Sequence, residues 1–196
     1  MALGKQAKII SDRQVRAVLA ELATWRYPLR DRVMFMLSLK AGLRAKEVAG
    51  VTWGMLTDSE GEIAGVIGLE NRAAKGKSGR VIPIHPDLKA ALMALHKERG
   101  VKARPDWPVI HSERDRGLSA GAVAVWFHRL YAGLGMIGCS SHSGRRSFVT
   151  RAARRISEVG GSLRDVQMLA GHASLSTTAR YIEHDADAQR KVVTLI

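Results

Sequence analysis

The sequence predicts a mostly helical α+β domain with a small three-stranded antiparallel sheet inserted near residues 51–85. Two patterns carry this reading. Apolar residues recur at helical spacing over most of the chain, as at Val15, Val18, Leu19 and Leu22, and again at Leu88, Ala91, Leu92 and Leu95. Early in the chain the texture changes: β-branched runs at Val51-Thr52-Trp53, 63–69 and 80–84 alternate with Gly- and Asp-rich turns. No linker-like stretch divides the sequence, so residues 1–196 read as one domain.

Taken in order, Ser11-Asp12 opens a first helix. Pro28 opens a second, which runs to about Lys40. Its Val33, Met34, Phe35, Met36, Leu37 and Leu39 are too apolar for a surface helix and place it at the centre. Ala41-Gly42 ends it, and a short helix follows over 45–51. The turns Asp58-Ser59-Glu60-Gly61 and Lys75-Gly76-Lys77-Ser78-Gly79 separate the three expected strands. From Pro86 the helical pattern returns. Ser119 starts a helix carrying Val123, Val125, Trp126 and Leu130, and further helices are expected over 143–156, 163–169, 174–181 and 185–193. Gly160-Gly161 and Gly171 punctuate the later ones.

Composition narrows the function. With 46% hydrophobic residues there is material for a real core, built mainly from Leu, Val, Ala and Ile because aromatics are only 5%. Lys+Arg 31 against Asp+Glu 18 gives a net charge of +13, which points to a polyanionic partner, since basic side chains that neutralise phosphates release counterions. The single cysteine, Cys139, excludes an internal disulfide and a Cys-rich metal site, and reads as a small buried thiol in a reducing setting. No run of about 18 apolar residues marks a membrane span. Residues 1–8 are followed by no signal-type apolar core, so the protein is expected to stay where it is made.

Several polar residues stand where packing alone does not want them. Arg44 follows Gly42-Leu43 at a helix boundary, and Lys75 lies in a turn between strands. His142-Ser143-Gly144-Arg145 and Gly171-His172 mark helix ends, and Tyr181 closes the short helix opened by Ser174. Singly, each reads as a surface charge, a structural histidine or a half-buried tyrosine with a wet hydroxyl. Together, and in this order, they carry four motifs: Ala41-Gly42-Leu43-Arg44-Ala45-Lys46-Glu47-Val48; the turn 75–80 followed by Val81-Ile82-Pro83-Ile84; His142-Ser143-Gly144-Arg145; and Leu169-Ala170-Gly171-His172 with Ser176-Thr177-Thr178-Ala179-Arg180-Tyr181. On these motifs the chain resembles the tyrosine recombinase family, which includes phage integrases and Xer-type recombinases, from about Ile10 to Val193.

The resemblance implies a site-specific DNA recombinase or integrase that cleaves and rejoins double-stranded DNA through a 3′-phosphotyrosyl link to Tyr181, with no cofactor, metal or ATP. The covalent link conserves the bond energy for rejoining. Arg44 and Arg145 would clamp the non-bridging oxygens of the scissile phosphate, because a planar guanidinium pairs with two oxygens at once. By the same resemblance, His172 adds a hydrogen bond there, His142 assists as general base toward Tyr181, and Lys75 gives a proton to the departing 5′-hydroxyl. Glu47 stands where the family uses an acid to order the first arginine, although an exposed helix Glu is an equal reading. Lys77, Arg80 and Arg146 are expected DNA contacts. Gly144 replaces a common Leu and Arg146 a common second His, and Gly144 is expected to loosen the helix start.

The resemblance further implies action as a homo-oligomer, a tetramer on DNA. The catalytic pattern begins within the first dozen residues, so the N-terminal DNA-clamping domain of most relatives is expected to be absent, with DNA binding dependent on an accessory partner. Two other readings use part of the same evidence: a topoisomerase-like nicking and closing enzyme, and a non-catalytic DNA-binding regulator. Against the second stands the complete set Arg44, Lys75, His142, Arg145, His172 and Tyr181. The apolar end, Val192, Val193, Leu195 and Ile196, is expected to dock onto a neighbouring protomer. Deletion of residues 191–196 should therefore weaken assembly on DNA in a gel-shift titration. Unchanged assembly would refute the docking.

Overall fold

The computed structural model describes residues 7–74, 78–181 and 194. The sequence-expected turn lysines Lys75 and Lys77, the helix expected over 185–193 and the apolar C-terminal end lie outside them, apart from Thr194.

Helix α1 (Asp12–Leu22) begins at a capping box in which the Ser11 hydroxyl accepts from Gln14 N–H and the Gln14 side chain accepts from Ser11 N–H. Helix α2 (Pro28–Lys40) starts on a proline, whose fixed φ suits the first helical turn. Residues Val33 to Leu39 of α2 are all buried, as a central helix requires. Helix α3 (Ala45–Gly50) follows after the short turn Gly42-Leu43-Arg44.

The sheet has two strands, not three. Strand β1 (Val66–Leu69) pairs antiparallel with β2 (Arg80–Pro83), with Ile67 opposite Ile82 and Leu69 opposite Arg80. The segment Val51-Thr52-Trp53 makes no strand because its backbone is spent elsewhere. Thr52 forms one isolated bridge to Pro108, Trp53 N–H donates to Trp107 O, and Gly54 N–H donates to Pro105 O. A proline partner cannot donate back, so a ladder cannot extend there, and Trp53–Met55 tightens into a 3₁₀ turn. The Trp53 side chain is fully buried, and its burial rather than strand pairing accounts for the apolar run.

Helices α4 (Pro86–Arg99) and α5 (Ala120–Gly133) complete the main core, which also takes in Phe35, Leu43, Trp53, Leu92, Phe127 and Tyr131. Helix α6 (Ser143–Arg155) packs on α2. Helix α7 (Leu163–Ala170) packs on α6 around a second, smaller core of Val149, Val166 and Ala170, and α8 (Leu175–Ala179) packs on α7. The chain before α1 is strapped across α6: Ile10 N–H donates to Ser147 Oγ (2.8 Å), Arg146 donates to Ala7 O (3.0 Å), and Arg151 donates to Ile10 O (2.9 Å). Among the described residues no helix is long and apolar enough to cross a membrane.

Gly144 does not loosen the start of α6, because α2 comes close against it at Ser38. A Cβ there would lie 2.5 Å from Ser38 Oγ and 3.1 Å from the Ser38 carbonyl carbon. Gly144→Ala should therefore destabilise the protein by about 1–3 kcal/mol through overpacking, although Ala is the better helix former by about 1 kcal/mol. Urea denaturation would measure the loss, and Ser38→Gly in the same chain should recover part of it.

Candidate active site

Arg44, Arg145, His172 and Tyr181 converge, although they come from four places in the chain. Arg145 is almost fully buried on the first turn of α6. Its guanidinium donates to two carbonyl oxygens, Gly42 O at 2.6 Å and Ala170 O at 2.7 Å. The Ala170 carbonyl ends α7, where unpaired C=O groups carry negative partial charge, and the Gly42 carbonyl lies in the turn directly after α2. Gly42 (φ +66°) and Gly171 (φ +61°) turn the chain after α2 and α7 into the left-handed region that glycine accepts without strain. The motif glycines thus create the socket in which Arg145 sits.

Glu47 is the centre of the charge arrangement. It is fully buried on α3. Its carboxylate accepts from Arg44 N–H (2.9 Å) and Arg44 Nη1 (2.8 Å), and from Arg80 Nη1 (3.1 Å) and Nη2 (3.2 Å). Arg145 Nη1 stands 3.9 Å away. Burial works to raise the Glu47 pKa, but the hydrogen bond and charge of Arg80, with the backbone bond and charge of Arg44, outweigh it and hold the carboxyl below its usual value. Three guanidiniums surround one carboxylate, so the cluster keeps two net positive charges. Burial and the neighbouring Arg44 and Arg80 charges lower the Arg145 pKa to about 10, which still leaves it protonated at neutral pH.

His172 follows the Gly171 cap and is buried. Its Nδ1 lies 2.9 Å from Thr178 Oγ1, and its ring stacks on Tyr181 with centroids 5.4 Å apart and planes 20° from parallel. Desolvation, then the charges of Arg145, Arg44 and Arg80, push its pKa down to about 4, so the imidazole is neutral at physiological pH. Tyr181 N–H donates to Thr178 O, Thr150 Oγ1 donates to Tyr181 O (3.4 Å), and the ring packs on the smaller core.

Two clefts open on this cluster. One, of about 330 Å³, is lined by Tyr181, Arg145, His142, Arg146, Ser140 and Arg180, among others. The other, of about 490 Å³, is lined by Arg44, Arg80, His172, Gly79, Met168 and Gly171, among others. His142 is exposed at the N-cap of α6 and faces the same cleft as Tyr181. Arg146 shares that cleft while donating to Ala7 O. Arg80, expected as a DNA contact, keeps its side chain only 7% exposed, with its donors on Glu47, Leu169 O (2.8 Å) and Ser78 O (3.3 Å). Lys75 and Lys77 lie outside the described residues. Thr178, part of the fourth motif, has no role assigned from the sequence because a threonine three residues before a tyrosine carries no distinctive signal. Among the described residues no cluster of His, Cys, Asp and Glu suited to a metal ion is found.

Comparison with known proteins agrees with this geometry. The chain matches the phage integrase family over residues 8–188. It is 33% identical over 165 residues to the tyrosine recombinase XerC of Xylella fastidiosa (strain 9a5c), a match covering 84% of this chain and 52% of that protein. It is 29% identical over 189 residues to the tyrosine recombinase XerA of Thermococcus onnurineus (strain NA1), covering 94% of this chain and 62% of that one. The chain therefore spans about half the length of the XerC relative it matches, 52%. The fold is similar to that of the Tn1549 transposon integrase solved with a circular intermediate DNA, with a TM-score of 0.77 at 17% identity, over 99% of this chain and 67% of that one. It is also similar to the XerH site-specific recombinase bound to its difH substrate, with a TM-score of 0.71 at 19% identity, over 98% and 55% of the two chains. With Arg44, Arg145, His172 and Tyr181 gathered at one site and the family match running almost from end to end, the chain belongs to the phage integrase family of tyrosine recombinases and corresponds to its catalytic domain.

Proposed function

We propose that this chain is a site-specific DNA recombinase that cleaves and rejoins double-stranded DNA through a 3′-phosphotyrosyl intermediate on Tyr181. The observation that carries the reading is the cluster itself: Arg44 and Arg145 held on one buried carboxylate, beside a neutral His172 stacked on Tyr181. The fold relatives solved with DNA support the choice of substrate.

In this mechanism the scissile phosphate enters where the two clefts meet the cluster. The Arg44 and Arg145 guanidiniums neutralise its non-bridging oxygens as charge builds in the transition state. His172 contributes as a donor: when the Thr178 hydroxyl donates to Nδ1, the ring proton sits on Nε2, where it can meet a phosphate oxygen. His142, in the same cleft as Tyr181, takes up the phenolic proton as the oxygen attacks phosphorus. The bond to the 5′-oxygen breaks as the phosphotyrosyl bond forms, and Lys75 supplies the proton to the departing 5′-hydroxyl. Attack by a second strand's 5′-hydroxyl reverses these steps and frees Tyr181. We also propose a homo-tetramer on paired DNA sites as the working assembly, aided by an accessory protein, in the bacterial cytoplasm.

Nicked duplexes drawn from the DNA flanking the chain's own gene test the reaction, because the nick lets a short fragment leave and traps the intermediate. Wild-type protein should give a denaturation-resistant protein–DNA adduct and Tyr181→Phe none. DNA binding without any adduct, on a duplex shown to contain the recombination site, would favour the non-catalytic reading.

The neutral His172 sets a pH dependence of stability. Its pKa is about 4 folded against 6.5 unfolded, so between these values the unfolded chain binds more protons. This share of stability should be full above about pH 6.5 and fall away as pH drops toward 4. His111, whose pKa burial and Arg99 also lower, adds to the same slope. Thermal melts across that range should show the decline, and His172→Gln should flatten it.

A further inference from the structure

We infer that Arg80 is a positioning residue for the cleavage step, fixing Arg44 and Arg145 through Glu47 and making no contact with DNA phosphate itself. The inference rests on the recombinase reading above.

Four hydrogen bonds define the environment of Arg80. Nη1 and Nη2 each donate to a different oxygen of Glu47, Nε donates to Leu169 O, and Nη1 also reaches Ser78 O. A guanidinium has five N–H donors, so four are committed to protein acceptors. The arrangement is directional. Arg80 takes both oxygens of Glu47 from one side, and Arg44 takes the same two from the other, Nη1 on Oε1 and N–H on Oε2. Without Arg80, the carboxylate would be free to rotate toward Arg44 and Arg145 alone, and the Arg44 guanidinium would turn with it. The third anchor, Leu169 O, lies one residue before Ala170, whose carbonyl holds Arg145. Arg80 thereby ties strand β2, the Glu47 carboxylate and the C-terminus of α7 into one unit.

Gly171 gives an independent sign that the protein makes room for this side chain. A Cβ at Gly171 would stand 2.8 Å from Arg80 Nη1 and 3.0 Å from both Cδ and Cζ. The glycine therefore serves two purposes: the left-handed cap of α7 and a bed for the Arg80 guanidinium.

The two possible roles of Arg80 leave different marks. A phosphate contact sets affinity and its salt dependence, and its removal lowers the slope of log K against log salt by about one. A positioning residue sets the rate once DNA is bound, where misplacing a reacting group by about 1 Å costs roughly 10²-fold. The experiment uses the full chain on the nicked duplex, with Arg80→Met and Arg80→Lys beside wild type. DNA affinity is measured at several salt concentrations, and the single-turnover rate of adduct formation is measured at saturating protein.

The expected result is a fall in rate of about 10²-fold for both variants, with affinity and salt slope unchanged. Lysine should not rescue, because one point charge cannot bridge two carboxylate oxygens and a carbonyl. The defect should also shrink on a duplex bearing a methylphosphonate at the cleavage site, where the non-bridging pair carries no charge for Arg44 and Arg145 to neutralise. Combined with Glu47→Gln, Arg80→Met should add little to the loss of the single variant. A wild-type rate at saturation, with a reduced salt slope, would overturn the proposal and make Arg80 a DNA contact. Should Arg80→Met lose its near-UV circular dichroism, Arg80→Lys decides alone: a slowed rate supports positioning, and a wild-type rate refutes it. Absence of an adduct from wild-type protein would remove the recombinase reading and this inference with it, whereas an adduct with no Arg80 effect would remove this inference only.

Discussion

The architecture of the site depends on one buried carboxylate. Glu47 has no exposed surface, and an isolated ionised carboxylate in such a place would cost far more than a small domain can spare. It is tolerable because Arg44, Arg80 and Arg145 surround it. The dependence runs the other way as well, since without Glu47 three guanidiniums would repel one another at close range. Breaking a buried pair by removing one partner typically costs about 3–5 kcal/mol. The ion cluster is therefore poor evidence for overall stability but strong evidence for a fixed geometry. Four separate pieces of chain, at the starts of α3 and α6, along β2 and at the end of α7, meet there in one arrangement.

Backbone dipoles complete what the carboxylate begins. Arg145 makes its two short hydrogen bonds to main-chain carbonyls in the turn after α2 and at the end of α7, and Arg80 takes the neighbouring carbonyl of Leu169. Main-chain acceptors do not titrate, so these arginines keep their orientation at any pH where the fold persists. The same carbonyls stabilise the buried positive charge without cancelling it, and the cluster keeps its attraction for an anion. His172 responds to that field. Surrounded by guanidiniums and removed from water, it stays neutral, so it can donate a hydrogen bond without adding a further charge.

Much of this was legible in the sequence, and the parts that were not have physical causes. Helix α2 was readable as central because nearly every residue from Val33 to Leu39 is apolar, and the structure buries all of them. The site residues were readable because Gly42-Leu43-Arg44 and Gly171-His172 place a helix stop directly beside a polar side chain. The third strand was misread because Val51-Thr52-Trp53 has strand-like composition, while its hydrogen bonds go to a loop containing Pro105 and Pro108 that lies far along the chain. Gly144 was misjudged for a related reason. Helix propensity is local and visible, whereas the approach of Ser38 is a tertiary fact. Arg80 was expected as a DNA contact in a strongly basic chain, and nothing in its neighbours signals that its donors turn inward. Glu47 offered two equal readings in the sequence, and burial decides between them.

The division of the apolar interior into two cores has a dynamic consequence. The arginines and Glu47 are anchored on α3, α6, β2 and the carbonyls that end α7, beside the large core, whereas Tyr181 rests on the small one, whose fully enclosed members are Val149, Val166 and Ala170. Burying a side chain of valine size is worth about 1.5–3 kcal/mol, so α8 and Tyr181, which lie beyond the arginine-held end of α7, are secured by a small part of the free energy that holds the whole domain. Segments of that kind open and close as cooperative units well below the cost of global unfolding. Amide hydrogens of α8 will thus exchange far sooner than those of α2, and the tyrosine can leave its place against His172 while the domain as a whole stays folded.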